Sequence, residues 1–416
     1  MSKNAPDQEA APARGRRRRA VASLLALPLA VAVGCDSSQT PGQNQQGVTF
    51  YKDVQPILRA KCESCHTPAG IAPFALDNYE HAKQYAPALV SAVQARRMPP
   101  WMPSADCQRF VGDRTLTQQQ IDTLAAWQQA GTPEGNAADA PPVTPPPQGL
   151  TDASIELDWD VAYTPTKTDD YHCFILDPKL TQAKDLVAYE FIPDQRQEVH
   201  HALIYSADAT KARAIDDAAP GLGWPCGGGS GVDQAVLVAT WVPGTPVIRY
   251  PAGTAISIQS GNVLIAQMHY NTANGATPDL SRMRLKWADQ SVLNKAAILP
   301  VLNTTFQINP GQMGATADAV SKPLQVGLRV WGLMPHMHQL GRSGRVEAAG
   351  QCLINIPKWD FHWQQMYFFD NSSVYLPAGS VVKYTCTWDN TTANTIRWGE
   401  GTADEMCIAY FYTTLL

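Results

Sequence analysis

The 416-residue chain lacks an apolar run long enough for an ordinary membrane span; its longest, Ala20 to Gly34, holds 15 residues. It also lacks a basic surplus. The formal charge is −5 and grows more negative once the arginine-rich first 34 residues are set aside, which argues against nucleic acid as a partner. Charged residues make up 17% of the chain and hydrophobic ones 44%, too apolar a balance for a largely disordered protein and enough for several packed domains. Sustained helical periodicity is scarce, and 32 prolines with 29 glycines favour short strands joined by turns. Internal repeats are absent.

What is present begins with an address. Residues 14–35, RGRRRRAVASLLALPLAVAVGC, set arginines before the short apolar run, the pattern of an export signal. Its end, Ala32-Val33-Gly34-Cys35, resembles a bacterial lipobox, which makes Cys35 the lipidated first residue of the mature chain. The arginine pairs also permit twin-arginine export, but Arg18-Arg19 lacks the rest of that motif, and ordinary secretion is the expectation. Residues 1–35 are thus a lipoprotein-type signal and 36–47 a polar spacer. The chain is expected in the periplasm or cell envelope, held to the membrane only through the lipid, where disulfides and covalent haem form.

Residues 48–133 read as a small helical domain. Val54, Ile57, Leu58 and Cys62 fall at helical spacing, residues 79–97 make a second helix, and Thr117 with Gln120 forms a capping box ahead of Ile121, Leu124 and Trp127. Gly131 supplies the stop. Residues 134–150, rich in proline, read as an interdomain linker. From there on come strand-like runs such as LVAYEFIP, EVHHALIYS, NVLIAQMHYNT, LQVGLRVWGL, SVVKYTCTW and MCIAYFYTT, separated by turn residues. About 260 residues is long for one sandwich, so two all-β domains are expected, residues 151–295 and 296–416. The expected fold is therefore multi-domain, a small all-α domain followed by two all-β, jelly-roll-like sandwiches.

Cys62-Glu63-Ser64-Cys65-His66 is a C-x-x-C-H sequence in an exported chain, where two thiols add to haem vinyl groups and the adjacent imidazole takes an axial iron position. A zinc half-site would need further ligands, and this segment offers only His81 and Cys107. The sixth ligand must come from Arg96-Arg97-Met98-Pro99-Pro100-Trp101-Met102-Pro103. Met98 is the choice, because the domain resembles class I cytochromes c, whose distal methionine precedes a proline after a helix; Met102 is the alternative. A haem with both axial positions filled moves electrons and does not bind oxygen.

Five of nine histidines lie in three tight contexts: Val199-His200-His201, Gln267-Met268-His269 and Pro335-His336-Met337-His338. His336 and His338, two apart on a strand, point to one face and can share a metal. His200 and His201 are adjacent and point oppositely on an ideal strand, so chelation by both requires a bulge, a strand end or different ring nitrogens. Imidazoles with a thioether suit copper better than magnesium or calcium. Met334, Met337, Met366 and Met406 are all available as that thioether. His81, His172 and His362 read as structural.

From about Asp169 onward the chain resembles the copper type II, ascorbate-dependent monooxygenases, the family of peptidylglycine α-hydroxylating and dopamine β-monooxygenases. The resemblance implies that His200 and His201 of EVHHALIY, with His269 of AQMHYNT, bind an electron-relaying copper. It implies that His336 and His338 of MPHMHQLGRS, with Met406 of GTADEMCIAYFY, bind the copper where oxygen is activated, so these three are the expected catalytic ligands. It further implies disulfides Cys173–Cys226 and Cys386–Cys407, leaving Cys107 and Cys352 unassigned. Where peptide-amidating members hold a carboxylate with an arginine and an asparagine, this chain has Met334 and Ile408, with Tyr410 matching a tyrosine; a C-terminal carboxylate is not the expected recognised group.

The expected function is hydroxylation of a C–H bond of a small organic substrate by O2, using two copper ions that store one electron each. One covalently bound c-type haem is expected to pass electrons from a periplasmic donor or to replace an ascorbate-like reductant. The proline-rich tether would keep that haem near the relay copper without a tight interface. The rival class is a non-enzymatic electron-transfer or copper-binding protein.

Overall fold

The computed structural model describes residues 47–142, 149–273, 275–370, 373–399 and 403–415, apart from residues 69 and 71. The export signal, Cys35 and residues 143–148 of the linker lie outside the described residues.

A turn at Phe50–Val54 leads into the helix Gln55–Lys61, whose first turn holds Pro56, a position where proline's missing N–H has no helical partner to lose. The helix Tyr79–Gln94 starts on Asn78, whose side chain accepts from the His81 N–H. The helix Gln118–Gln129 starts on the Thr117–Gln120 capping box, both of its hydrogen bonds formed. These helices close over one apolar cluster in which Phe50, Leu58, Leu76, Val93, Leu124 and Trp127 are buried.

Beyond residue 150 the chain is almost wholly β. All the strand-like runs quoted above form strands. The alternation of buried and half-buried positions that produces them is clearest in Val382–Trp388. One helix, Ala209–Ala218, interrupts the β-region and has no counterpart in the sequence reading; Asp208 caps it by accepting from the Lys211 N–H at 3.0 Å.

Two sandwiches result. The first packs the five-stranded sheet of Trp224–Pro225, Asp169–Leu176, Asn262–Asn271, Val199–Asp208 and Val236–Trp241 over Ile155–Leu157, Arg282–Trp287, Lys184–Ile192 and Thr254–Ile258. The second packs Ala315–Val320, Val382–Trp388, Gly341–Ala348 and Gln351–Ile356 over Asn294–Leu302, Ile408–Leu415, Leu328–His336 and Tyr367–Phe368. The lower layers of both are one continuous sheet, because Asn294–Leu302 pairs in parallel with Thr254–Ile258 and antiparallel with Ile408–Leu415. The expected break between β-domains at residues 295 and 296 thus falls within a strand that joins them.

The helical segment is not loosely tethered, which corrects the expectation of a linkage without a tight interface. Residues 102–114 run along the β-region. Met102 and Phe110 are buried in the second sandwich's core, Cys107 is disulfide-bonded to Cys352, and the Ser104 N–H donates to the Asn355 carbonyl at 2.8 Å. Arg114 reaches the Gly244 carbonyl at 2.8 Å. Backbone hydrogen bonds and a covalent bond hold the segment, so the proline-rich stretch does not set its position.

Asp279, fully buried, ties the first sandwich together. Its carboxylate accepts from the Gln195 N–H and the Tyr270 hydroxyl, each at 2.9 Å, and from Ser281. Substituting Asp279→Ala strands those donors in a dry interior and is expected to lower stability by about 3 kcal/mol. A urea titration followed by tryptophan fluorescence checks this, with Asp279→Asn expected to lose less.

Candidate functional site

The strands Val199–Asp208 and Asn262–Asn271 pair antiparallel with His201 opposite His269. The register shifts between Val199 and His201, so His200 sits in a bulge. That extra residue is what brings both adjacent imidazoles to one place. The ligand nitrogens of His200, His201 and His269 all lie within 4.8 Å of one another, and the Nδ1 atoms of His200 and His269 are 3.1 Å apart. This is close to the ~3.3 Å edge expected of two imidazole nitrogens each about 2.0 Å from one ion.

Neighbours fix these rings. His269 Nε2 donates to Asp169 at 3.1 Å, which leaves the Nδ1 lone pair facing His200. Tyr171, opposite His269 on Asp169–Leu176, stacks on its ring at 4.1 Å. Burial, reinforced by the neighbouring imidazoles, pushes the His200 pKa down to about 3 and lowers that of His201 well below the usual histidine range. Burial lowers the His269 pKa as well, so all three rings favour the neutral form that binds a metal.

In the second sandwich, Leu328–His336 pairs with Ile408–Leu415, placing His336 opposite Ile408 at the end of the ladder. His338 follows just beyond, its ring centre 5.1 Å from that of His336. Nδ1 of His336 donates to Gln364 Oε1 at 2.5 Å and Nδ1 of His338 donates to the Asp404 carbonyl at 2.9 Å, so each keeps its lone pair on Nε2. Burial, with His338 beside it, pushes the His336 pKa down to about 3.

Glu405, fully buried, joins the two chain segments. Its carboxylate accepts N–H groups from His338 at 2.8 Å, Leu340 at 2.6 Å and Met406 at 3.3 Å, and the Trp388 indole at 2.9 Å. Cys407 is bonded to Cys386 and Cys173 to Cys226, as the resemblance implied. Met406, between Glu405 and Cys407, is held on both sides.

His336, His338 and Met406 line one cleft of about 400 Å³, and His201 lines it too. Met334 also faces this cleft, whereas Met337 is fully buried in the second core and Met366 lines a different crevice. His201 of the first histidine group and both histidines of the second thus border a common space between the sandwiches.

Cys62, Cys65, His66 and Met98 line a separate apolar cavity of about 320 Å³. Both cysteines are unpaired, and burial pushes the Cys62 thiol up to about 12. His66 Nδ1 donates to the Phe74 carbonyl at 2.9 Å, leaving the Nε2 lone pair. Met102 takes no part, since its sulfur accepts the Asp360 N–H at 3.2 Å. The far wall comes from the β-region: His200, Pro243, His362 and Trp363. Gly244, at φ +80°, brings its loop so near that a Cβ there would lie 2.8 Å from the Cys65 sulfur.

His362, read from the sequence as structural, has a neighbour that the sequence does not reveal. It lies 5.0 Å, ring to ring, from His200, and its Nδ1 donates to Asp360 at 3.0 Å, which raises its pKa. An isolated histidine carries no pattern that would reveal this. Two other histidines read as structural have local partners, His172 on the Leu222 carbonyl and His81 on Asp77.

Residues 293–414 match the family described as copper type II ascorbate-dependent monooxygenase, C-terminal domain. This family of oxidoreductases uses copper, O2 and a reductant such as ascorbate. The matched span takes in His336, His338 and Met406 and excludes His200, His201 and His269. No curated protein matches the chain. Similar solved structures include the major capsid protein P2 of bacteriophage PM2, at 9% identity and TM-score 0.30, covering 63% of this chain and 97% of that one. PNGase F of Flavobacterium meningosepticum, a glycosylasparaginase, follows at 12% identity and TM-score 0.26, covering 63% and 95%. Overlaps this slight say nothing about function.

Glu405→Ala removes one acceptor from four buried donors and is expected to cost about 3–5 kcal/mol. Urea unfolding with Glu405→Gln alongside measures it, the glutamine retaining part of the loss.

Proposed function

We propose that the chain is an exported copper monooxygenase that hydroxylates a C–H bond of a small organic substrate, with electrons delivered through a c-type haem. One observation carries this reading: His201 and the His336, His338 and Met406 group border the same cleft. A substrate held there would touch the second site while His201 of the first borders the same space.

The donor sets fit copper. His200, His201 and His269 would hold a relay copper, and His336 Nε2, His338 Nε2 and the Met406 thioether a second, whose soft sulfur favours the cuprous state. Copper supplies the one-electron chemistry with O2 that no side chain here possesses. The protein's share is positioning. Asp169, Gln364 and the Asp404 carbonyl fix which nitrogen of His269, His336 and His338 is presented, Glu405 fixes the spacing of His338 and Met406, and apolar side chains line much of the cleft.

The apolar cavity fits a haem. Cys62 and Cys65 would carry the thioether links, and His66 and Met98 the axial positions; the buried placement of Met102 favours Met98. Because His200 belongs to both this cavity and the three-histidine cluster, a haem bound here would share a wall with the relay site. The electron source is a periplasmic donor or an ascorbate-like reductant. Export through residues 1–35 and lipidation at Cys35 would place the protein in the cell envelope.

Protein matured in the periplasm is expected to contain two coppers and one haem. On mixing the anaerobically reduced protein with O2 in a stopped-flow instrument, haem reoxidation should depend on Met406 and slow in Met406→Ala. A haem that stays reduced, or that reoxidises equally fast in the variant, would instead identify an electron carrier or copper-binding protein. Asp169→Ala is expected to weaken copper binding at the three-histidine cluster by about 10–100-fold. Competition with a calibrated cuprous chelator measures this, and the second site should be unaffected.

A further inference from the structure

The cleft between the sandwiches also describes its substrate. Among the described residues that line it there is no lysine, arginine, aspartate or glutamate. Leu203 and Leu237 of the first sandwich form one part of the apolar wall, and Leu302, paired with Ile408, faces the cleft from the second. Met334 and Ile408 form another. Met334 lies two residues before His336 and so on the same face of its strand, and Ile408 pairs opposite His336. Phe361 and Trp398 add aromatic surface.

Besides the candidate ligand histidines, the polar side chains in the cleft are the neutral phenols of Tyr171, Tyr205 and Tyr410, which suit an alcohol as well as a ring, and two amides that are committed elsewhere. Gln267 spends both N–H groups on the Cys226 and Gly229 carbonyls. Gln364 holds His336 with its oxygen and the Phe361 carbonyl with its nitrogen. A carboxylate or ammonium entering this space would lose its water and meet no oppositely charged side chain, a penalty of several kcal/mol that a soft cuprous ion does little to offset. An uncharged ring compound would lose little and gain contact with apolar and aromatic walls.

We infer that the cleft takes an uncharged, apolar ring compound of about one or two rings, an alkyl-substituted aromatic or its neutral alcohol, and not an amino acid, peptide or amine. The inference rests on the monooxygenase reading for what happens to the bound molecule, but the binding preference follows from the cleft walls alone.

Calorimetric titration of the full chain as isolated, reduced and under argon so that any copper is cuprous and a poor partner for carboxylate, tests it with three matched probes: 3-phenylpropanol, 3-phenylpropanoate and phenethyltrimethylammonium, whose quaternary nitrogen cannot ligate a metal. The alcohol is expected to bind about 100-fold more tightly than either ion. A second variant locates the binding. Leu302, 42% exposed at the rim, tolerates charge without disturbing the core, and Leu302→Arg is expected to improve 3-phenylpropanoate about tenfold. Either ion binding as tightly as the alcohol overturns the inference. Preference for the quaternary ammonium would mean that the aromatic rings form a cation cage. Absence of binding by all three, or an unchanged anion affinity in Leu302→Arg, overturns it as well. Failure of the monooxygenase reading shows separately, as missing copper or reoxidation that ignores Met406, and leaves the calorimetric ranking intact.

Discussion

The parallel pairing of Asn294–Leu302 with Thr254–Ile258 carries one sheet from the first sandwich into the second, and the cleft depends on that seam. Two sandwiches joined by a flexible loop could present their histidines at any distance. Sharing a sheet, they cannot separate without breaking backbone hydrogen bonds, each a donor and an acceptor that would then need new partners. The cleft walls, Leu203 and Leu237 on one side and Leu302 and Met334 on the other, are thereby fixed in a common frame.

Within that frame, positioning falls to a small number of polar groups, of which Glu405 is fully buried. Asp169, the Asp404 carbonyl, Gln364 and Glu405 each hold a ring nitrogen or a backbone N–H beside the candidate ligands. Rings held neutral by burial and oriented by a fixed hydrogen bond have lost the freedom that a metal would otherwise have to remove on binding. The same neutrality leaves the cleft without charged side chains, so the features that suit it to copper also narrow what else enters.

The helical segment follows the same logic. Its C-x-x-C-H motif faces a cavity whose far wall is His200 and His362, and the Cys107–Cys352 bond with the pairing around Phe110 holds it there. A tethered domain would reach the β-region by diffusion, whereas a docked one keeps the cavity beside the three-histidine cluster at all times.

The sequence by itself determined the local features. C-x-x-C-H, the capping box at Thr117 and the alternation that makes the strands are properties of neighbours along the chain, legible because their period or spacing is short. The histidine doublets were equally visible, and so was the need for a bulge at His200, but not that the bulge would form. Met406 could not be separated from Met334, Met337 or Met366 by spacing, and entered only through resemblance. The tertiary structure alone decided the pairing of Cys107 with Cys352, the diversion of Met102 into the β-core, the approach of His362 to His200 and the single sheet beneath both sandwiches. Each of these joins residues far apart in sequence, and what joins them is the packing of whole layers, which no local pattern encodes.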